Sequence, residues 1–188
     1  MHITITGRLG SGKSTICKIL SEAHGFLLYS TGAIQREIAQ QHKISTLEMN
    51  NLMASDLSFD YALDDAVNKI SVDRASETII FDSRMAWHFA VNSFKVFVTV
   101  DPLVAAQRVM RDPRGEVEAY ADLEDAKTKL TERAKLENER FIEIYGVDYF
   151  DYSNYDLIID STNATPEELV DLVYYKFVEF SKKKSHDN

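Results

Sequence analysis

The stretch Gly7-Arg8-Leu9-Gly10-Ser11-Gly12-Lys13-Ser14 constrains this chain most, because it meets the pattern G-x-x-x-x-G-K-[ST] without a mismatch. Its flanks agree with it. Met1-His2-Ile3-Thr4-Ile5-Thr6 is a short β-branched run that predicts a strand, and Ile16, Ile19, Leu20 and Ala23 recur at the spacing of a helix with one buried face. A glycine-rich turn between strand and helix lets the backbone N–H groups from Gly7 through Gly12, Ser11 among them, point inward around a polyphosphate. The helix N-terminus adds its positive end. Lys13 is expected at the β- and γ-phosphates of a nucleoside triphosphate, Ser14 at Mg²⁺, and Thr15 beside them. The alternative is an ordinary Gly/Ser turn with a solvated lysine.

A chain of 188 residues predicts one domain, spanning 1–188, with room for a substantial core. The net charge of -9 argues against a nucleic-acid or membrane-surface partner, since either needs a basic face. Positive charge is therefore expected only locally, around phosphates. The one cysteine, Cys17, allows no internal disulfide and suits a reducing cytosol. No signal peptide precedes the first strand and no apolar run is long enough to span a bilayer, so a cytoplasmic location is expected.

Further strands are predicted at Phe26–Tyr29, Thr78–Phe81, Val96–Val100 and Leu157–Ile159, alternating with helices. One helix starts at Ser30 or Thr31 and runs through Gln41; another follows the capping-box spacing Ser45-Thr46-Leu47-Glu48. A third covers about Ser58 to Arg74 with Phe59, Leu63, Val67 and Ile70 as its core stripe. Asp101-Pro102 starts a helix to Met110, a long helix ends at Tyr145-Gly146, and Thr165-Pro166-Glu167-Glu168 starts the last, which is expected to bury Leu169, Leu172, Val173 and Phe177. Residues 181–188 read as a frayed polar tail, whose lysines could also meet an anionic partner. Strands alternating with helices mean an α/β fold with a parallel sheet covered on both faces. Ligands belong at the carboxyl ends of its strands, where the Gly7 loop, Ser30, Asp82 and Asp101 fall.

The glycine loop alone fits a kinase, an ATPase motor or a GTPase. No Asn-Lys-x-Asp motif and no Asp-x-x-Gly after the third strand favour a GTPase, and no coupling domain favours a motor. Arginines point instead to a kinase with an anionic acceptor. Arg36, after Thr31, suits bidentate phosphate recognition, or else pairs across its own helix. Asp82-Ser83-Arg84 leaves the third strand, where Asp82 either orients Mg²⁺ through water or caps the next helix, and where Arg84 can face the acceptor. Arg133, Glu137 and Arg140 share one helical face and either rim a cleft or make a surface ion pair. Arg108, Arg111 and Arg114 make the region up to Arg140 read as an arginine-bearing flap that excludes water.

Together with Ile3-Thr4-Ile5-Thr6-Gly7, Ser30-Thr31-Gly32-Ala33-Ile34 and the stretches Glu139–Asp148 and Asn154–Asp160, these residues make the chain resemble the cytidylate kinase family in its short, archaeal-like form. The resemblance covers nearly the whole chain. It implies a P-loop NTPase three-layer α/β/α fold on a five-stranded parallel sheet, with an acceptor-binding helical insertion at about 31–75 and a lid at about 108–140. It implies transfer of the ATP γ-phosphate to CMP or dCMP, with Mg²⁺. Thr31, Arg36, Arg84 and Glu137 would then serve the acceptor, Arg108 and Arg111 the ATP, and Arg133 and Arg140 the transferring phosphoryl group alongside Lys13 and Asp82. A monomer or weak homodimer is expected. Ser83 departs from the family's usual glycine in Asp-Gly-Arg, and the stretch Arg111–Glu118 is more acidic than is typical. A kinase of another small acceptor (AMP, UMP, a non-nucleotide metabolite) and a non-catalytic nucleotide-binding paralogue are the competing readings.

Overall fold

The computed structural model describes residues 1–34, 40, 44, 56–111 and 120–186. Five parallel strands form one sheet in the order β2-β3-β1-β4-β5. They are β1 (His2–Gly7), β2 (Leu27–Ser30), β3 (Ile79–Asp82), β4 (Ser93–Thr99) and β5 (Leu157–Asp160). The helices are α1 (Lys13–His24), α2 (Ser58–Asp73), α3 (Ala86–Phe89), α4 (Pro102–Arg111), α5 (Leu123–Tyr145) and α6 (Pro166–His186). Residues 31–34 are also helical.

The two-residue period of the strands divides their side chains into two cores. Ile3, Ile5, Ile80, Val96 and Val98 face α1 and α6, where they pack on Ile16, Leu20, Val173 and Phe177. The alternate residues face the other way. Ile79 and Phe81 meet Val67 of α2 and Ala86 of α3, while Phe97 joins Met85, Trp87, Phe141 and Tyr149. The result is three layers, with α4 and α5 joined through Ala105, Ala106, Ala126 and Leu130 beside Leu9 of the glycine loop.

Several helix signals act as expected. The Asp101 side chain accepts from the backbone N–H groups of Leu103 and Val104, and Pro102 is the first residue of α4. Thr165 and Glu168 cap each other's backbone reciprocally at the start of α6. Gly25 and Gly146 end α1 and α5 in the left-handed conformation.

Other expectations are corrected. The core stripe of α2 is Asp60, Asp64, Val67 and Ser71, so only Val67 of the expected four is fully buried. Leu172 is 40% exposed, and Val170 takes its place in the core. β2 is an edge strand, so Leu27 and Leu28 remain exposed. Over its described residues the tail is helical, because α6 continues to His186. Asp101 caps α4 and does not line the cleft. The capping box at 45–48, the helix up to Gln41 and Arg114 lie outside the described residues. No helix among the described residues is long and apolar enough to cross a membrane.

Candidate active site

A cavity of about 610 Å³ opens at the carboxyl ends of the strands. Its floor is the glycine loop. Gly12 sits at φ 80° immediately before α1, a left-handed position that favours glycine. Gly10 is held twice over: φ is 72°, and a Cβ there would lie 2.8 Å from the carbonyl oxygen of Ala105 in α4. The loop is also pinned from outside, because the Arg8 guanidinium lies 3.7 Å over the Phe150 ring.

The strand register brings oxygen ligands to this floor. Ser30 and Asp82 are neighbours across β2 and β3, and Ile5 pairs with Asp82 across β1. The Ser14 hydroxyl donates to Asp82 Oδ2 over 2.8 Å, and Ser30 donates to the same oxygen over 3.2 Å. Thr31 reaches the Asp82 carbonyl at 3.5 Å. Burial, and then the Arg84 charge, pull the Lys13 ammonium down to about 8. Lys13 is thus a cation short of anions, which a polyphosphate supplies.

Above the floor, charge is arranged along α5. Arg84 Nε donates to Glu137 Oε2 over 2.9 Å, and Arg133 Nε donates to Glu137 Oε1 over 3.1 Å. Burial would raise the Glu137 carboxyl, but the Arg84 and Arg133 guanidiniums outweigh it and hold the carboxyl below its usual range. One turn further on, Arg140 donates to Asp60 Oδ1 over 3.3 Å, and Tyr145 donates to Asp64 Oδ2 over 2.5 Å. Also in the lining, Arg108 of α4 is held by the hydroxyl and carbonyl of Ser161, at 3.1 and 2.6 Å.

A triphosphate cradle facing a row of arginines, in one cleft, is a phosphoryl-transfer arrangement. The sequence profile of the cytidylate kinase-like family matches residues 2–163 of this chain. The chain belongs to the cytidylate kinase-like family. A cytidylate kinase of Thermoplasma volcanium is 32% identical over 188 residues, which cover 98% of this chain and 95% of the relative. One of Methanosarcina barkeri is 31% identical, with 92% of this chain and 94% of the relative covered. Among solved structures, an uncharacterized protein from Eubacterium ventriosum superposes with a TM-score of 0.69 at 18% identity, covering 94% of this chain and 98% of that one. A gluconokinase from Sinorhizobium meliloti reaches 0.60 at 14% identity, covering 100% and 97%. Shikimate kinase from Aquifex aeolicus reaches 0.54 at 17%, covering 96% and 98%. At such identities the solved structures speak for the fold alone, a P-loop kinase fold.

In this family member the cavity collects Gly10, Ser11, Gly12, Lys13, Ser14, Thr15, Thr31, Asp82, Arg84, Arg108, Arg111, Arg133, Glu137 and Arg140. Arg36 lies outside the described residues. Asp82 does not cap α3, whose N-cap is Met85. The surface ion pair weighed for Arg133 and Glu137 does form, yet Glu137 shares its second oxygen with Arg84 and so faces inward. Sequence reasoning missed Asp60, Asp64, Tyr145 and Ser161. The acids of α2 carried a signal, since Asp60, Asp64, Val67 and Ser71 repeat at helical spacing; the neighbouring apolar residues drew the stripe away from them.

Proposed function

We propose that this protein is a nucleoside monophosphate kinase that transfers the γ-phosphate of ATP to CMP or dCMP, giving ADP and CDP or dCDP. The observation that carries it is that one cavity is lined both by Lys13 and the glycine loop and by Arg84 and Arg133. The acceptor's phosphate oxygen is already anionic, so no strong general base is required. Rate comes from in-line positioning and from neutralising charge on the phosphoryl group in flight.

The glycine loop and Lys13 hold the triphosphate, with Arg108 and Arg111 on the ATP side. Arg84, Thr31 and Arg36 hold the acceptor's phosphate. Arg133 supplies positive charge to the transferring group, while Arg140, expected beside it from the resemblance, stands further along α5 and is held by Asp60. Glu137 keeps Arg84 and Arg133 paired until phosphates displace it, which spares two partly buried guanidiniums from lacking a counter-charge. The resemblance assigns about 31–75 to the acceptor-side insertion and about 108–140 to the lid. Ser14 and Asp82 suit Mg²⁺: a hydroxyl and a carboxylate oxygen 2.8 Å apart fit a cation that keeps several waters and takes few protein ligands besides phosphate. Mg²⁺ held by these two residues would supply positive charge against the polyphosphate.

An ADP-release assay with MgATP against CMP, dCMP, UMP, AMP and GMP checks the reading. The expected result is a kcat/KM for CMP or dCMP well above the others. Turnover with none of the five, by folded protein that binds MgATP, contradicts it.

A further inference from the structure

We propose that Asp60 and Asp64 of α2 read the exocyclic amino group of the acceptor's base, so that these two carboxylates select cytosine over uracil. The inference rests on the kinase reading above and assigns the far end of the same cleft.

Both side chains line the cavity. Asp60 is 7% exposed at its side chain, and only one of its oxygens is used: Oδ1 accepts from Arg140, while Oδ2 is buried with no hydrogen-bond partner. A buried carboxylate oxygen without a donor is costly unless something supplies one. Tyr145 donates to Oδ2 of Asp64. Burial pushes the Asp64 carboxyl up to about 6 and also raises that of Asp60. The two acids therefore crowd like charge into a poorly solvated wall, with Glu137 acting on Asp60 and Asp65 on Asp64. The Arg140 guanidinium and the Tyr145 hydroxyl are the counterweights that α5 offers.

Such a wall repels phosphate and attracts an uncharged hydrogen-bond donor. Phosphates have their own place nearer Lys13, Arg84 and Arg133. Arg133 and Arg140 are seven residues apart on α5, about 10 Å along its axis, a span suited to a nucleotide whose phosphate is at one end and base at the other. The surroundings suit a flat ring, since Leu63 and Phe141 also line the cavity there. Cytosine presents an amino group with two donors where uracil presents a carbonyl, whose lone pairs would face carboxylate oxygens. Asn in place of either Asp keeps the shape but adds an N–H₂ donor, which suits uracil.

The test compares kcat and KM for CMP, UMP and dCMP in the wild-type protein, Asp60→Asn and Asp64→Asn. A desamino acceptor, the 2-pyrimidinone ribonucleoside monophosphate, is run with the wild type alone. That arm removes the amino group without disturbing the fold. The expected result is a CMP-over-UMP preference reduced about 10- to 100-fold in either variant, as for loss of a hydrogen bond to a charged group. The desamino acceptor should lose a similar factor in kcat/KM, and the dCMP-to-CMP ratio should stay unchanged. If Asp60 serves only to hold Arg140, Asp60→Asn lowers kcat for every acceptor alike and leaves the preference intact, which overturns the proposal. A wild type that uses CMP and the desamino acceptor equally, or variants that change only the dCMP-to-CMP ratio, also overturn it. A wild type that phosphorylates no nucleoside monophosphate overturns the kinase reading instead, and the inference with it.

Discussion

Lys13 concentrates the chemistry of this cleft in one side chain. Its ammonium sits near 8 because burial and Arg84 disfavour the charge, whereas an ordinary lysine titrates above 10. A group with a lowered folded-state value gives up its proton as pH rises through that value. Bound triphosphate favours the charged form and restores the proton. MgATP binding should therefore take up about half a proton or more at about pH 8.5 and almost none at pH 7. Calorimetry in buffers of different ionisation enthalpy reads this directly, and no uptake at either pH contradicts the placement of Lys13 on the phosphates. Arg133→Ala should lower kcat by about 10³-fold, a typical loss for a charge that acts on the transferring phosphoryl, with a smaller rise in acceptor KM. An unchanged kcat would remove Arg133 from the mechanism. Glu137→Gln should cost about 2 kcal/mol in urea unfolding, less than a fully buried pair because some water reaches the site. Part of that loss should return with added CMP, whose phosphate replaces the missing counter-charge. The glycine loop and Lys13 were legible in the sequence because their chemistry is fixed by spacing alone. The sharing of Glu137 between Arg84 and Arg133 was not, because it joins residues 53 apart in the chain.

Elements were legible where a local signal names a boundary. Asp101-Pro102 and the Thr165–Glu168 pair mark helix starts by satisfying backbone N–H groups that no earlier turn can satisfy. Asp122 does the same for α5 by accepting from the Asp125 N–H, a cap the sequence reading passed over. Asp122→Ala should destabilise the protein by about 1 kcal/mol, or about 2–4 °C in Tm. Because Asp122 does not line the cleft, kcat should not change; a large kcat loss with unchanged Tm would mean α5 is positioned otherwise. The inner face of α2 was misread because hydrophobicity was taken to define the buried side. In α2 the buried side is a cleft wall, and it carries Asp60 and Asp64. Polar residues at helical spacing, one position away from an apolar stripe, are what such a wall looks like in sequence.

At the scale of the molecule, the sheet order puts β1 between β3 and β4, so the glycine loop leaves the centre of the sheet with Asp82 of β3 beside it. Donor and acceptor sites then share one cavity, and either ligand stabilises the fold by mass action. MgATP at 100 times its Kd should add about 2.7 kcal/mol, or roughly 5–10 °C in Tm, and CMP should add an increment of its own. Lys13→Ala should lose most of the MgATP increment and keep that of CMP. The decisive measurement is the fate of a γ-labelled phosphate. Incubated with labelled MgATP and CMP, the wild-type protein should place the label on the β-phosphate of CDP, and Lys13→Ala should place almost none there. Label that appears only as inorganic phosphate, or remains on ATP while both nucleotides are bound, would contradict the assignment of this cleft to phosphoryl transfer between nucleotides.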